Sequence, residues 1–261
     1  MIKAKKIVPL LYDSINILVV YTIFRQEFRS YFTSVTGYIA IGLFVLAVSL
    51  FLWVIPGSYN VFDSGYANLD GMFAIAPWLF MLLCPAITMR LIAEERQRGT
   101  WDLLFSRPLT LNSIVIGKYV AAWTVCLIAL LPCLLHYVVL YYIAQPIGNV
   151  DGGAFAGAML GLVFLAATFC AIGLFASALS SSQITAFIIA SVLCFILYYG
   201  FDLIASMIDF GVIAKRVSAI GFNEHFKSIS RGVIDSADVV YFMAVTIFFI
   251  ISTEIVLSRR K

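Results

Sequence analysis

Charge is scarce in this sequence: 12% of its 261 residues are Asp, Glu, Lys or Arg, about half the share usual in a water-soluble domain. The longest polar stretches, about 20 to 30 residues, are too short to fold as an independent catalytic module. Alternating apolar and polar residues, the mark of a membrane barrel strand, are missing too, because the apolar runs are continuous. There is no Gly-x-x-x-x-Gly-Lys-Ser/Thr phosphate loop, since Gly117-Lys118 is followed by Tyr119. No nucleophile–base pair stands out. An odd set of five cysteines, Cys84, Cys126, Cys133, Cys170 and Cys194, falls inside or at the ends of apolar runs, which argues against a disulfide scaffold. A soluble enzyme and an ATPase are thereby excluded.

What the sequence does have is apolar length, 62% of its residues being hydrophobic. Six runs of about 20 residues match the ~30 Å hydrocarbon core of a bilayer. They predict spans at about 36–56, 73–92, 114–142, 154–178, 184–208 and 237–257 of one domain covering residues 1–261. Only helices satisfy their own backbone in lipid along such runs, so the fold class is an all-α polytopic membrane protein. Basic residues set the orientation. With the N-terminus inside, the inner segments hold Lys3, Lys5, Lys6, Arg25, Arg29, Arg90, Arg96, Arg98, Arg107, Lys118, Arg259, Arg260 and Lys261, against Lys215, Arg216, Lys227 and Arg231 outside. Both termini are therefore expected in the cytoplasm, and the net charge of +3 reflects orientation and gives no sign of nucleic-acid binding. Met1 to Phe24 has the lysines of a signal peptide, but Asp13 and Asn16 interrupt it and no small-x-small cleavage site follows. Within residues 15–34, Ile17, Val20, Tyr21, Phe24, Phe28 and Tyr31 recur at helical spacing opposite Thr22, Arg25, Gln26 and Arg29. That predicts an amphipathic interfacial helix, or else an extension of the first span.

The second and third spans are joined by the most charged segment of the chain. Glu94, Glu95, Arg96 and Arg98 lead to Gly99, which can end a helix continuing from span two. Thr100 can cap a short helix over about 100–106 with Asp102 in its positive first turn, and Pro108 stops it. Trp101, Leu104 and Phe105 are then free for docking, ringed by charge, and Thr110 or Asn112 begins the next span.

On these residues the chain resembles the ABC-2 type transporter permeases. The resemblance runs from the charged helix end through Gly99-Thr100, the acidic Asp102, Leu103-Leu104 and Arg107-Pro108 to Ile116-Gly117-Lys118. Asp102 stands where the family more often has Glu. Within the family the chain looks most like the gliding-motility permease subunit of Bacteroidota, through Asp63-Ser64-Gly65-Tyr66-Ala67, Ala76-Pro77-Trp78, Pro85 to Arg90 and Ser230 to Asp235. The resemblance implies a permease half-transporter of a bacterial inner membrane with no ATPase site of its own. A separate ATPase subunit, which binds the ATP and Mg, would receive the short helix. A second permease subunit, identical or related, would complete twelve spans. Glu94, Glu95, Arg98, Gly99, Thr100, Trp101, Asp102, Leu103, Leu104, Phe105, Arg107 and Pro108 become the coupling residues, and no cofactor is expected in this chain.

Other features have less defined roles. Cys126, Cys133 and His136 could share a face of span three and hold a soft metal, an idea with precedent in related permeases that serve copper-enzyme maturation; small packing residues and one hydrogen-bonded His are the commoner arrangement and the favoured reading. Asp202 and Asp209 lie near the outer end of span five; an intramembrane carboxylate should face the bundle interior or an aqueous cavity, so Asp202 is expected to line the pathway or bond a neighbouring helix, whereas Asp209 reaches the interface. A pathway Asp202 also leaves room for an ATP-independent secondary transporter. Gly153, Gly157 and Gly161 form two Gly-x-x-x-Gly steps for close helix packing. The segment 211–236, with Phe222, Phe226 and Ile229 among basic residues, is too apolar for a free loop and predicts a re-entrant or interfacial outer segment, the gate in related permeases. The orientation is checked by cysteine labelling in intact cells. A cysteine placed at Ser58 reacts with a membrane-impermeant thiol reagent and one at Ser106 does not; labelling at Ser106 overturns the topology.

Overall fold

Among the described residues, six helices are long and apolar enough to cross a membrane: Val35–Trp53, Asp70–Gln97, Leu111–Ile143, Gly152–Leu179, Gln183–Ser206 and Ser236–Ser258. The computed structural model describes residues 2–101, 110–208, 211–232 and 235–259, with side chains from Ile17 onward, and no strand occurs among them. In chain order the elements are α1 (Ile2–Thr33), α2 (Val35–Trp53), α3 (Val61–Ser64), α4 (Asp70–Thr88), α5 (Arg90–Gln97), α6 (Leu111–Leu130) and α7 (Cys133–Ile143). They are followed by α8 (Gly152–Leu179), α9 (Gln183–Phe195), a π-helical turn over Ile196–Gly200, α10 (Phe201–Ser206), α11 (Gly211–Ser218), α12 (Phe222–Ser230) and α13 (Ser236–Ser258).

Local chemistry explains where several helices begin. Thr110 Oγ1 accepts from Ser113 N at 3.3 Å, so Thr110 rather than Asn112 caps α6. Asp151 Oδ1 accepts from Gly153 N and Ala154 N at 2.9 and 3.0 Å to start α8. Asp235 caps α13 through Ala237 N at 3.0 Å. Proline breaks the third span: Pro132 cannot donate to the α6 ladder, and the chain restarts as α7 at Cys133.

The post of the bundle is α8, which touches α4, α5, α6, α9, α12 and α13. Its most apolar stretch is 72% buried, against 22% for α2 and 17% for α13. A helix contacted on every side has to be thin, and its buried positions include Gly157, Ala158, Gly161, Ala166, Ala167, Ala171 and Gly173. The partner of the predicted glycine stripe is α12. A Cβ at Gly157 would lie 2.8 Å from Ile229 O and from Gly232 Cα, and one at Gly161 would lie 3.1 Å from the Phe226 ring. Segment 211–230 thus forms two short helices, α11 and α12, the second seated on α8 by Phe222, Phe226 and Ile229.

The leading helix is longer than the expected 15–34; its expected polar face, Thr22, Arg25, Gln26 and Arg29, is exposed, and Val20, Phe24, Phe28 and Tyr31 of the expected apolar face pack inward. Ile17 and Tyr21 are exposed, whereas Ile23, Phe24, Glu27, Phe28 and Tyr31 point inward, because the packed face of α1 follows its contact with α6. That contact closes at Gly117, where a Cβ would meet Ile23 Cγ2 at 2.9 Å and Val20 O at 3.1 Å. Close packing makes a sharp prediction. Gly157→Ala, which collides with backbone and not with a movable side chain, lowers thermal stability in detergent by about 1–3 kcal/mol. Gly42→Ala, with nothing within 4 Å, leaves it unchanged.

Candidate functional site

At the end of the bundle where Arg90, Arg96, Arg98 and Lys118 gather, the second span does not stop at the apolar limit. It turns slightly at Met89 and runs on as the polar α5. A restarted helix has N–H groups without partners, and α8 supplies one: Ser177 Oγ accepts from Ile92 N and Ala93 N at 3.1 and 3.0 Å while donating to Met89 O at 2.9 Å. Arg96 donates to Ala178 O at the end of the same helix. The joint between α4 and α5 is therefore fixed against α8.

Lys118 anchors the second side of α5. Its ammonium donates to Glu27 Oε1 at 2.5 Å, Glu95 Oε1 at 2.7 Å and Leu91 O at 2.8 Å. All three N–H bonds are used, and only 3% of the side chain is exposed. One cation thus joins α1, α5 and α6. Beside it Tyr31, buried, donates to Ile87 O at 2.7 Å, with the Arg90 guanidinium 3.9 Å above its ring. Burial raises the Tyr31 hydroxyl well above its ordinary pKa, so it stays a donor. Arg90 also donates to Ser34 Oγ and Thr36 Oγ1 at 3.3 and 3.2 Å, across the α1–α2 junction. An open cleft of about 260 Å³ lies over this network, edged by Glu27, Ser30, Arg90, Glu94, Arg98 and Thr100.

The elbow ends as the sequence predicts at Gly99. This residue has φ +69°, with Gly99 N bonded to Arg96 O at 3.1 Å and Thr100 N to Glu95 O at 2.9 Å, the paired bonds of a Schellman turn. Glu94 and Arg98 form an exposed i,i+4 pair at 2.6 Å. Two expected docking residues face inward instead. Glu95 is spent on Lys118, and Trp101 is buried in the chain's own core with the Arg96 guanidinium 5.6 Å from its ring; an apolar ring with packing partners at hand buries itself. Asp102, Leu103, Leu104, Phe105, Arg107 and Pro108 lie outside the described residues, as does Asp209.

At the far end, Asn223 donates to the Asp202 carboxylate, joining α10 to α12. A cavity of about 710 Å³ lies alongside, with Tyr59, Trp78, Tyr199, Phe226, Lys227 and Arg231 in its wall. His225, which the sequence reading passed over, clasps α12 to α13. Its Nδ1 is 2.7 Å from Asp238 Oδ1, its Nε2 3.0 Å from Ala219 O, and its ring stacks on Tyr241 at 3.9 Å. The grouping of Cys126, Cys133 and His136 does not form, because the break at Pro132 ends the helical register that would align them. His136 Nδ1 accepts from Trp53 Nε1 at 3.0 Å. Cys126 instead faces Cys84 and Cys170.

The arrangement is that of a multi-pass helical membrane protein whose polar chemistry is concentrated at one elbow. A family model described as ABC-2 family transporter protein matches residues 17–217, well over half of the chain and the whole of the elbow network. The chain belongs to the ABC-2 family, whose members are membrane permease subunits that partner with an ATPase subunit. No curated protein matches it.

The Lys118 network was missed in the sequence because its lysine reads as one more inward-side basic residue. The usable signal was a lysine five residues into an expected apolar span, with Glu27 and Glu95 among the few acids assigned to the same side. Lys118→Ala, which leaves two half-buried carboxylates without their cation, costs up to about 3 kcal/mol, the low end for a broken buried pair. Thermal unfolding in detergent checks this. Lys118→Met combined with Glu27→Gln and Glu95→Gln recovers most of the loss, whereas Arg98→Ala costs under about 1 kcal/mol.

Proposed function

We propose that the chain is the membrane half of an ATP-driven transporter in a bacterial inner membrane, with both termini and the elbow in the cytoplasm. A separate ATPase, holding ATP and Mg, docks on the segment 100–108. Movement of that ATPase then reaches the spans through α5. The observation that carries this reading is the stiffness of the elbow. α5 is bonded to α8 through Ser177, to α1 and α6 through Lys118, and closed by the turn at Gly99, so a push on the segment after Gly99 moves four helices together.

A second permease subunit completes the pathway. The wall of aromatic and charged residues around Tyr59, Trp78, Tyr199 and Lys227 supports a pathway at the far end, and α12, through Phe222, Phe226 and Ile229, is its gate. The resemblance around Asp63 to Ala67 and Pro85 to Arg90 supports a complex of the gliding-motility type, which transports or transmits force. The rival of an ATP-independent transporter needs Asp202 as a free proton site, and its hydrogen bond from Asn223 speaks against that.

The test is truncation of the coupling segment. If Leu104 and Phe105 fill a groove on the ATPase, each truncation weakens docking by roughly 1–3 kcal/mol. The double variant Leu104→Ala with Phe105→Ala stays folded in the membrane, yet loses its ATPase on purification in mild detergent and loses coupled activity. Retention of both overturns the assignment of the segment.

A further inference from the structure

Three of the five cysteines converge on one point in the bundle core. Cys84 comes from α4, Cys126 from α6 and Cys170 from α8. Cys126 Sγ lies 3.6 Å from Cys84 Sγ and 3.4 Å from Cys170 Sγ, and all three sulfurs lie within 4.8 Å of one another. Each residue is fully buried, and none is in a disulfide. We propose that this trio is a binding site for a single soft, closed-shell monovalent cation of the Cu(I) class.

The donor set selects the ion. A metal–thiolate bond of about 2.3 Å puts the corners of a three-sulfur plane about 4.0 Å apart, so a ring of sulfurs at the present separations needs to open by only a few tenths of an ångström. Three sulfurs with no imidazole or carboxylate in the group leave zinc short of its usual four ligands. Hard cations are excluded by the absence of oxygen donors. Soft thiolate sulfur selects Cu(I). Charge points the same way, because a core without counter-ions admits a neutral assembly most readily. Cu(I) enters, one S–H bond breaks, and a single proton leaves to water. The one thiolate then holds the ion, and the two remaining thiol sulfurs complete the shell as weaker contacts, without any change of oxidation state.

Position gives the site a consequence. Cys126 lies eight residues beyond Lys118 on α6, about 12 Å of helix rise, and the three ligands come from α4, which runs on into α5, from α8, which packs against α5, and from α6, whose Lys118 bonds Glu95 of α5. Pro85, next to Cys84, removes one hydrogen bond from α4, so this turn opens at lower cost than its neighbours to admit an ion. A bound cation would tie α4, α6 and α8 into one body.

The experiment is a titration of the purified full-length chain in detergent with Cu(I), under anaerobic conditions and against a chromophoric Cu(I) chelator. X-ray absorption and thermal unfolding are recorded on the same samples. The expected result is one tightly bound equivalent per chain, a sulfur-only shell of three neighbours, and a raised melting temperature. Cys126→Ser and, separately, Cys84→Ala, each with an unchanged metal-free melting temperature, lose that equivalent. Cys133→Ala with Cys194→Ala, which lie outside the group, keeps it. No binding by the native chain, equal binding by the Cys126 and Cys84 variants, or a native disulfide between any two of the three overturns the proposal. The result is independent of ATPase docking, since neither partner nor transport activity is needed for the measurement.

Discussion

An ammonium group removed almost entirely from water has to be held by ligands that cannot leave it, and Lys118 takes all three of its ligands from other helices. Two carboxylates and a carbonyl complete its donors, so the desolvation of the cation is offset only while α1, α5 and α6 stay in place. The geometry of the elbow depends on this constraint. Gly117, one residue earlier, lets the α1 backbone approach closely enough for Glu27 to reach. Glu95 faces inward because that ligand is needed, which leaves Glu94 and Arg98 to meet water.

The opposite flank of the elbow, against α8, is held by hydrogen bonds: Arg96 donates there to a carbonyl, Ala178 O. Ser177 accepts two N–H groups and donates to a carbonyl, an arrangement that satisfies a restarted helix in a place where water is not available. Ion pairing on one side and hydroxyl capping on the other make α5 a continuation of the membrane bundle and not a loop. A polar segment after a membrane span usually relaxes into solvent. Here it remains part of the packed structure up to the turn at Gly99.

The sequence made the architecture legible wherever one residue or one run decided it. Six apolar runs gave six spans, Gly99 ended a helix because it alone tolerates φ +69°, and Thr110 began one. It was opaque wherever a residue's partner lay far along the chain. Lys118 meets Glu27 across 91 residues, and the glycines of α8 meet Gly232 and Ile229 from a segment that hydropathy alone describes only as too apolar for a loop. Helical spacing grouped Cys126 with Cys133 and His136, and it failed at Pro132, where the register ends. Trp101 looked like a docking ring for the same reason: a pattern along the chain cannot tell which side of a short element already has a neighbour.

The composition of α8 has a further meaning. Glycine and alanine have no side-chain rotamers to exchange, and Gly157, Gly161, Ala166, Ala171 and Gly173 all lie on its buried surface. Along these positions, unlike at the buried Leu162, Leu165 and Phe169 of the same helix, the post cannot adapt to a displaced neighbour by repacking. There its neighbours slide along it or tilt about it as intact bodies, in the manner of a shaft in a bearing. Wherever force enters this molecule, α8 therefore fixes the axis along which the other helices are free to move.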